Sequence, residues 1–280
     1  MWQKSYDGSP ILYLIPTPIG NMEDITIRAI NVLKEVKVVF SEDTRVTRNL
    51  LNYLNIDKKL ISLHEHNEEM VKDKVLEYLV DGYSVGLVTD RGTPIVSDPG
   101  YKTVKYISDK GYNVVALPGA NAFVPALIVS GISPQPFIFY GFLDSKDSKK
   151  KKELDKLKYS QETMIFYEAP HRIIKTLKLM LDIFGDRDIS VSREISKKFE
   201  SIYRGKISDL ILNFDNVKGE FVIIVSGYVD NNIDYDISIS DSINFYINEG
   251  LSKNDAIKMV AHMRKMKKSD VYSIYHKESK

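Results

Sequence analysis

The sequence predicts an α/β protein that consists of two α/β domains and a small helical domain at its C-terminal end. Short apolar runs alternate with segments of helical periodicity, which is typical of βαβ units and a mostly parallel sheet. The run Glu220–Gly227 is almost unbroken and apolar, which indicates a central strand. From Ser242 to His276 the pattern is helical throughout and locally basic.

The first α/β domain is predicted to span residues 1–118. Its strands are the apolar runs that end in clusters of Pro, Gly, Asp or Ser, namely Ile11–Ile15, Val36–Phe40, Ile61–Leu63, Ser84–Thr89 and Asn113–Leu117. Its helices are the intervening segments of helical spacing, namely Asp24–Glu35, Val46–Leu54, Met70–Asp81 and Tyr101–Lys110.

The second α/β domain is predicted to span residues 119–230. Besides Glu220–Gly227, its predicted elements are the strands Phe137–Phe142, Thr163–Tyr167 and Ile189–Ser192 and the helices Ala122–Ser130, Ile173–Phe184 and Ile207–Phe214. The lysine-rich stretch Lys146–Lys158 is typical of a solvated loop and the start of a helix. The polar, Asp-rich residues 231–241 are predicted to be a linker, and residues 242–280 a small basic helical domain.

Composition excludes several classes of protein. The 280-residue chain has a formal net charge of +1, so any basic surface for a nucleic acid must be local. The absence of cysteine excludes disulfides, thiolate catalysis and Cys-ligated zinc. His64 and His66 have no third candidate ligand nearby in the sequence, so no metal site is predicted. The apolar runs fall short of a membrane span or a signal peptide, and we therefore expect a soluble cytoplasmic protein.

Four loops follow predicted strands of the first domain: 16–21, 41–45, 90–94 and 118–121. Because the carboxyl ends of parallel strands share one edge of a sheet, we expect these loops to meet at a single crevice. The loops match neither GxGxxG nor a Walker A motif. They offer Gly20, Gly92 and Gly119 for close approach of a ligand and Asp90 as an acceptor, which suits a small nucleoside-like ligand. The alternative is a plain sheet edge with ordinary turns.

Several longer motifs occur in order over roughly residues 10–228. They are Pro16–Asn21, Ser41–Arg45, Gly92–Pro94 with Ser97–Gly100, Leu117–Gly119, Phe166–Arg172 and Arg193–Phe199. Together they resemble the tetrapyrrole methylase superfamily and, within it, the ribosomal RNA small-subunit methyltransferase I branch. The helical tail resembles the small C-terminal domain of that branch.

The resemblance implies that S-adenosylmethionine (SAM) binds in a cleft between the two α/β domains. It also implies methyl transfer to the ribose 2′-hydroxyl of a cytidine in the decoding region of 16S rRNA, free or in the 30S subunit, by a homodimer. The cofactor-binding positions that it implies are Pro18, Asp90, Pro94, Ile95, Val96, Ala122, Phe123 and Tyr167. Core packing is the alternative for the apolar side chains at positions 95, 96 and 123.

Methyl transfer to a hydroxyl requires alignment of donor and acceptor and is helped by removal of the hydroxyl proton. The candidates for proton removal are Glu42, Asp43 and Glu168, with Arg45 and Arg172 orienting a phosphate or a carboxylate. An alternative for the segment Ser41–Arg45 is a helix N-cap with acidic residues in the first turn.

Basic side chains near these motifs and in the tail are the candidates for RNA contact, because Lys and Arg bind phosphate oxygens. The predicted RNA-binding residues are Arg91, His171, Arg172, Arg193, Lys197, Lys265, Lys267 and Lys268. The run Lys149–Lys152 is a further candidate, for which a solubilising surface is the alternative. Surface ion pairing is the alternative for Arg193 and Lys197.

Arg91 departs from the resemblance, because a small residue is usual at its position, and Thr89 stands where Ser is usual. An arginine directed inward would oppose a cationic sulfonium, so we expect Arg91 to point outward. Two other functions stay open: methylation of a corrin-type small molecule on the same fold, and a catalytically inactive RNA-binding assembly factor. The basic tail and the Glu168–Arg172 motif disfavour the first, and Arg91 supports the second.

Overall fold

The structure is a computed structural model of the 280-residue chain and describes residues 2–214, 218–229, 237–264 and 266–278. Contacts between residues divide the chain into two compact units, Met1–Gly227 and Tyr228–Lys280. The larger unit contains two five-stranded sheets covered by helices, and the smaller unit contains helices. The predicted fold class is thereby confirmed. The finer division of the larger unit at residue 118 remains our proposal.

The first sheet is parallel, as the sequence predicts. Its strands are β1 (Ile11–Leu14), β2 (Val38–Ser41), β3 (Lys59–Ser62), β4 (Val85–Val88) and β5 (Asn113–Ala116). Their order is β3-β2-β4-β1-β5, and all of the described pairings are parallel. All the carboxyl ends therefore lie at the same edge.

Helices cover both faces of this sheet. They are α1 (Ile27–Glu35), α2 (Thr44–Tyr53), α3 (Glu68–Val80) and α4 (Tyr101–Asp109). Successive strand residues point to opposite faces. Accordingly, Val39 shares a buried cluster with residues of α1 and α2, whereas Phe40 shares another with residues of α3 and α4.

The second sheet is mixed, whereas the first is parallel. Its strands are β6 (Phe137–Phe142), β7 (Thr163–Glu168), β8 (Asp188–Arg193), β9 (Ser201–Lys206) and β10 (Phe221–Val225). The order is β6-β7-β10-β8-β9; β6 and β7 pair in parallel, and the other described pairs are antiparallel. The predicted central strand is confirmed, because β10 lies third of five and is buried throughout.

Strand β9 was not predicted, and its sequence explains the omission. The segment Ser201–Lys206 reads SIYRGK, with no long apolar run, and it forms an edge strand whose side chains are exposed or half-buried. An edge strand needs less apolar sequence than a central one, because it has only one neighbour and one partly covered face.

The helices of the second half of this unit are α5 (Phe123–Val129), α6 (Asp147–Leu157), α7 (Ile173–Phe184) and α8 (Ile207–Leu212). Helices α6, α7 and α8 contribute Leu154, Leu177 and Leu210 to the cluster on one face of the second sheet. Helix α5 packs on the other face, where Ala126 and Leu127 meet the side chains of β7 and β10.

The lysine run of α6 corrects an expectation. The sequence favours a solvated basic segment at Lys146–Lys158, yet the side chain of Lys150 is only 1% exposed. Lys149, Lys151 and Lys152 are exposed. The helical period therefore separates the run into a solvent-facing set and one residue that points into the protein.

The smaller unit consists of α9 (Ile239–Asn248), α10 (Lys253–Met263) and α11 (Lys268–Glu278). The helical tail that the sequence predicts from Ser242 is thus present and begins at Ile239. Ser238 and Ser252 cap the first two helices by accepting hydrogen bonds from Asp241 N–H and Asp255 N–H. Among the described residues, no helix has the length and apolar character needed to cross a membrane.

Candidate active site

Loops that follow β1, β4 and β5 are tied together at the carboxyl edge of the first sheet. Thr17 and Gly92 exchange backbone hydrogen bonds of 2.9 and 3.0 Å, and the Thr93 hydroxyl donates to Ala120 O at 2.9 Å. A Cβ atom at Gly119 would lie 2.5 Å from Cβ of Pro16, so glycine is required there for contact between two loops. The approach of a ligand to Gly119 remains a proposal.

A cavity of about 310 Å³ lies between these loops and the second sheet. The loops of the first sheet contribute Ile19, Arg91, Gly92, Thr93, Val96, Ser97, Asp98, Asn121 and Ala122. The second half contributes Phe142, Tyr167, Glu168, Ala169, Pro170, Ile195, Glu220, Phe221 and Val222. A volume of this size is within the range of small-molecule sites, and the lining is largely apolar with a few polar groups.

The loops around the cavity have unusual backbone conformations. Ile95 and Ser97 have φ values of 76° and 71°, and Glu194 and Ser196 have values of 53° and 68°. Non-glycine residues rarely adopt this left-handed region, and for a β-branched residue such as Ile95 it is a strained conformation. Such strain is concentrated at functional sites, which agrees with a ligand site at this cavity.

Of the predicted cofactor-binding residues, Val96, Ala122 and Tyr167 line the cavity. Pro18 and Pro94 are buried in the loops behind it, and Ile95 packs against the α3–α4 face of the first sheet. Phe123 packs on Phe139, with 4.6 Å between ring centroids. The predicted contact of these four residues with a cofactor remains a proposal.

Asp90 lies beside the lining and binds the loop that follows β2. Its Oδ1 accepts a hydrogen bond of 2.9 Å from Asp43 N–H. Burial raises the pKa of Asp90, and the Asp43 N–H opposes that shift. The predicted contact of this carboxylate with a cofactor remains a proposal.

Asp98 lines the cavity and was not identified from sequence. Burial and, to a smaller extent, the charges of Glu42 and Asp90 raise its pKa to about 6. The hydrogen bond with Thr89 opposes this shift. Thr89 Oγ1 also lies 2.9 Å from Oε2 of Glu42 and donates to it. The signal in the sequence was the Ser97–Gly100 motif, in which Asp98 has the appearance of an ordinary turn residue.

Tyr167 forms part of an aromatic wall. Its ring centroid lies 5.2 Å from that of Phe139 and 5.5 Å from that of Phe142. Burial raises the pKa of Tyr167 to about 12, so its hydroxyl remains protonated at neutral pH. The side chain can therefore donate a hydrogen bond but is not suited to removing a proton.

Glu168 lies at the end of β7, and its side chain has no exposed surface. Its Oε1 accepts hydrogen bonds from Ala169 N–H and Arg172 Nε, both at 2.8 Å. Its Oε2 lies 3.2 Å from Nζ of Lys150 and accepts a hydrogen bond from the Thr176 hydroxyl. Burial raises the pKa of Glu168, but the hydrogen bonds and the Lys150 charge outweigh it and lower the pKa overall. A buried, fully bonded carboxylate is a poor base, which disfavours its predicted role.

The candidates Glu42, Asp43 and Arg45 lie outside the described lining of the cavity. Asp43 is the N-cap of α2 and accepts from Arg45 N–H at 2.8 Å, so the cap of the alternative interpretation is present. Its acidic first turn is not, because Glu42 precedes the cap and the first turn of α2 contains no acidic residue. The hydrogen bond from the Arg45 side chain lowers the pKa of Asp43 to about 2. The Glu42 carboxylate accepts a hydrogen bond from the Thr89 hydroxyl.

Ion pairs lie at the rim of the cavity, and the one between Arg91 and Glu220 connects the two halves of the larger unit. Arg91 Nη1 lies 2.7 Å from Oε1 of Glu220, and Lys197 Nζ lies 2.8 and 2.9 Å from Glu194 and Glu220. The Arg91 guanidinium thus binds a carboxylate, which would reduce its repulsion of a cationic ligand.

The other predicted RNA-binding residues differ in their availability. Arg172 is bonded to Glu168, and Arg193 Nε donates to the Ser201 hydroxyl at 3.0 Å. His171 is exposed, as are Lys267 and Lys268 in the smaller unit. Lys265 lies outside the described residues. The RNA-binding roles of all these residues remain proposals.

A parallel sheet with a cavity at its strand ends, closed by a second sheet, is typical of α/β enzymes that bind small nucleoside-like ligands. The family model for tetrapyrrole (corrin/porphyrin) methylases matches residues 11–211. The chain therefore belongs to the tetrapyrrole methylase family, a family of methyltransferases, which confirms the resemblance seen in its motifs.

Within this family, the chain is similar over nearly its whole length to proteins named ribosomal RNA small subunit methyltransferase I. It is 47% identical to the Bacillus subtilis protein over 285 residues, with 98% of each chain covered. It is 41% identical to the Halalkalibacterium halodurans protein over 286 residues, with 99% of each covered. The crystal structure of uroporphyrin-III-C-methyltransferase from Thermus thermophilus matches at a TM-score of 0.57 and 18% identity, covering 77% of this chain and 94% of that one. That likeness establishes the fold.

Proposed function

We propose that this chain is a SAM-dependent methyltransferase that modifies the ribose 2′-hydroxyl of a cytidine in small-subunit rRNA. The observation that carries the proposal is the similarity over 98% of the chain to a relative named for small-subunit rRNA methylation. The cavity at the edge of the parallel sheet supports it. We further propose that the enzyme acts in the cytoplasm on 16S rRNA or the 30S subunit, and that it is a homodimer.

The residues around the cavity fit SAM. Val96, Ala122 and Ile195 provide apolar surface for its uncharged parts, and Tyr167 adds an aromatic wall with a hydroxyl donor. The Asp98 carboxylate adds a negative charge to the lining, which suits a cation. When bound, SAM supplies an electrophilic methyl group on a positively charged sulfur.

We propose that Asp98 removes the proton from the attacking hydroxyl. A general base must lie within reach of the substrate and must have a pKa near the working pH. Asp98 lines the cavity and has a pKa of about 6, whereas Glu168 is enclosed and Asp43 caps a helix. In this mechanism the strained loop Gly92–Gly100 holds the Asp98 carboxylate at a fixed place beside the reacting hydroxyl.

The two alternative functions have less support. The structural likeness to a uroporphyrin methyltransferase, at 18% identity, concerns the fold and so does not favour a corrin-type substrate. The inactive assembly factor depends on Arg91 opposing a cationic cofactor. The Arg91 guanidinium is paired with Glu220 at the rim of the cavity, and this pairing reduces that repulsion.

The function is tested by incubating the purified protein with methyl-labelled SAM and either naked 16S rRNA or 30S subunits from a strain that lacks the gene. We expect one labelled ribose, on a cytidine, located by nuclease digestion and mass spectrometry. Label on a base, or no label together with no calorimetric signal for SAM, would contradict the proposal.

The basic tail is proposed to bind rRNA phosphates. Replacing Lys267 and Lys268 together by alanine is expected to weaken rRNA binding about tenfold. The slope of the logarithm of the binding constant against the logarithm of the salt concentration should become shallower by about two, because each exposed lysine that contacts a phosphate releases counterions from the RNA. The affinity for SAM should not change. The measurement is filter binding of 16S rRNA across a range of salt concentrations.

The matched control removes Lys105 of α4 and Lys110, which follows the last residue of that helix, and gives the same change in net charge. An equal loss of rRNA affinity in both double variants would show that only net charge matters, and it would argue against a specific role of the tail.

A further inference from the structure

Lys150 differs from the other lysines of its run. It lies in the second turn of α6, and its side chain is 1% exposed, although Lys149 and Lys151 on either side are exposed. The cost of burying an ammonium group is high unless it is paired and hydrogen-bonded. Its partners are Oε2 of Glu168 at 3.2 Å and the Thr176 hydroxyl at 2.6 Å.

Stability alone does not account for a buried ion pair. Apolar residues of similar volume often provide equal or greater stability, because two charges must lose their hydration when they are buried. What an ion pair adds is a fixed geometry. Here the geometry concerns Glu168, whose other oxygen binds Ala169 N–H and Arg172 and so determines the path of the chain after β7.

That path forms one wall of the cavity. Tyr167, Glu168, Ala169 and Pro170 are all lining residues, although the Glu168 side chain itself has no exposed surface. Lys150 is separated from the cavity by Glu168, so it cannot contact a ligand there unless Glu168 moves. Any effect of Lys150 on the site must therefore pass through Glu168 and the turn that follows it.

We propose that Lys150 is a positioning residue, which anchors Glu168 so that residues 167–170 form the cofactor-facing wall of the cavity. The inference rests on the proposed function, because it assigns the cavity to SAM. It also assigns a role within the folded core to a lysine whose sequence context indicates a solvated surface.

The test compares the SAM affinities of Lys150→Met, Lys150→Arg and wild type by calorimetry, at a temperature where circular dichroism shows each variant folded. We expect Lys150→Met to weaken SAM binding about tenfold, because residues that do not contact a ligand can still change its binding free energy through the groups that they hold in place. Lys150→Arg keeps the cation and should stay within about threefold of wild type. In methyl transfer, Lys150→Met should raise KM for SAM and change kcat much less.

Lys156→Met is the matched control, since it removes an exposed lysine from the last turn of the same helix and should leave SAM affinity unchanged. A folded Lys150→Met that binds SAM as wild type does would show that Lys150 serves stability only, and would overturn the proposal. If Lys150→Met does not fold, Thr176→Val is the deciding variant, because it removes the hydroxyl that is bonded to both Lys150 and Glu168. It should weaken SAM binding severalfold, and unchanged binding would overturn the proposal. Failure of the wild type to bind SAM overturns the proposed function as well.

Discussion

Replacing Asp98 by asparagine is expected to lower kcat for methyl transfer by about 100-fold or more, which is the usual contribution of a positioned general base. Asparagine keeps the size of the side chain but cannot accept the hydroxyl proton. Because Asp98 has a pKa of about 6 in the protein without ligand, kcat/KM of the wild type should rise with pH and level off above that value. At pH 5, where most of the Asp98 carboxyl is protonated, kcat/KM should be about tenfold lower.

The measurement is the pH dependence of kcat/KM, from methyl transfer at SAM and rRNA concentrations well below their KM values. Glu42→Gln and Asp43→Asn provide the comparison, because the sequence nominates both as bases and the structure places both outside the described lining of the cavity. If Glu42→Gln removed the pH dependence and Asp98→Asn kept it, the base would be Glu42.

The same substitution should make the protein without ligand more stable. A carboxyl with a raised native pKa binds its proton more tightly when folded, so its contribution to stability falls as pH rises from about 4 to 6. Above pH 6, Asp98→Asn should therefore raise the free energy of unfolding by about 1–2 kcal/mol, a value reduced for partial solvent access. Near pH 4 the difference should disappear. Urea unfolding at both pH values measures it.

Replacing Glu168 by glutamine is expected to lower the free energy of unfolding by about 3–5 kcal/mol at neutral pH, because it leaves the buried ammonium of Lys150 without its counter-charge. The pKa of Glu168 is lowered, so its contribution is fully present above the ordinary glutamate pKa of about 4.3 and is lost as pH falls through the lower native value. The difference between variant and wild type should shrink below pH 4 in urea unfolding experiments.

Glu220→Gln is the control for this result, since the Glu220 side chain is 64% exposed and its ion pairs should contribute less than about 1 kcal/mol. Adding Lys150→Met to Glu168→Gln should recover part of the lost stability by removing the stranded charge. A Glu168→Gln protein as stable as wild type, with an altered pH profile of kcat, would support the base role that the sequence suggested.

The sequence predicted the first sheet well because a parallel sheet has a strong local signature. Its strands are buried on both faces, so each is a short apolar run, and each is followed by a helix of clear period. The edge at which the loops meet then follows from chain direction alone, and the loops after β1, β4 and β5 do line the cavity. The loop after β2 instead binds Asp90 through a backbone N–H.

The amino-acid sequence by itself determined the α/β class, the alternating strands and helices of the first sheet, the central position of β10 and, through its motifs, the family. Only the tertiary structure decided which polar side chains face the cavity, because their neighbours come from distant segments. Lys150 is paired with a residue 18 positions away, and Arg91 with one 129 positions away. Asp98 acquires its raised pKa from burial that no local pattern encodes. Chemistry of this kind depends on charge, distance and solvent access, which exist only once the chain has folded.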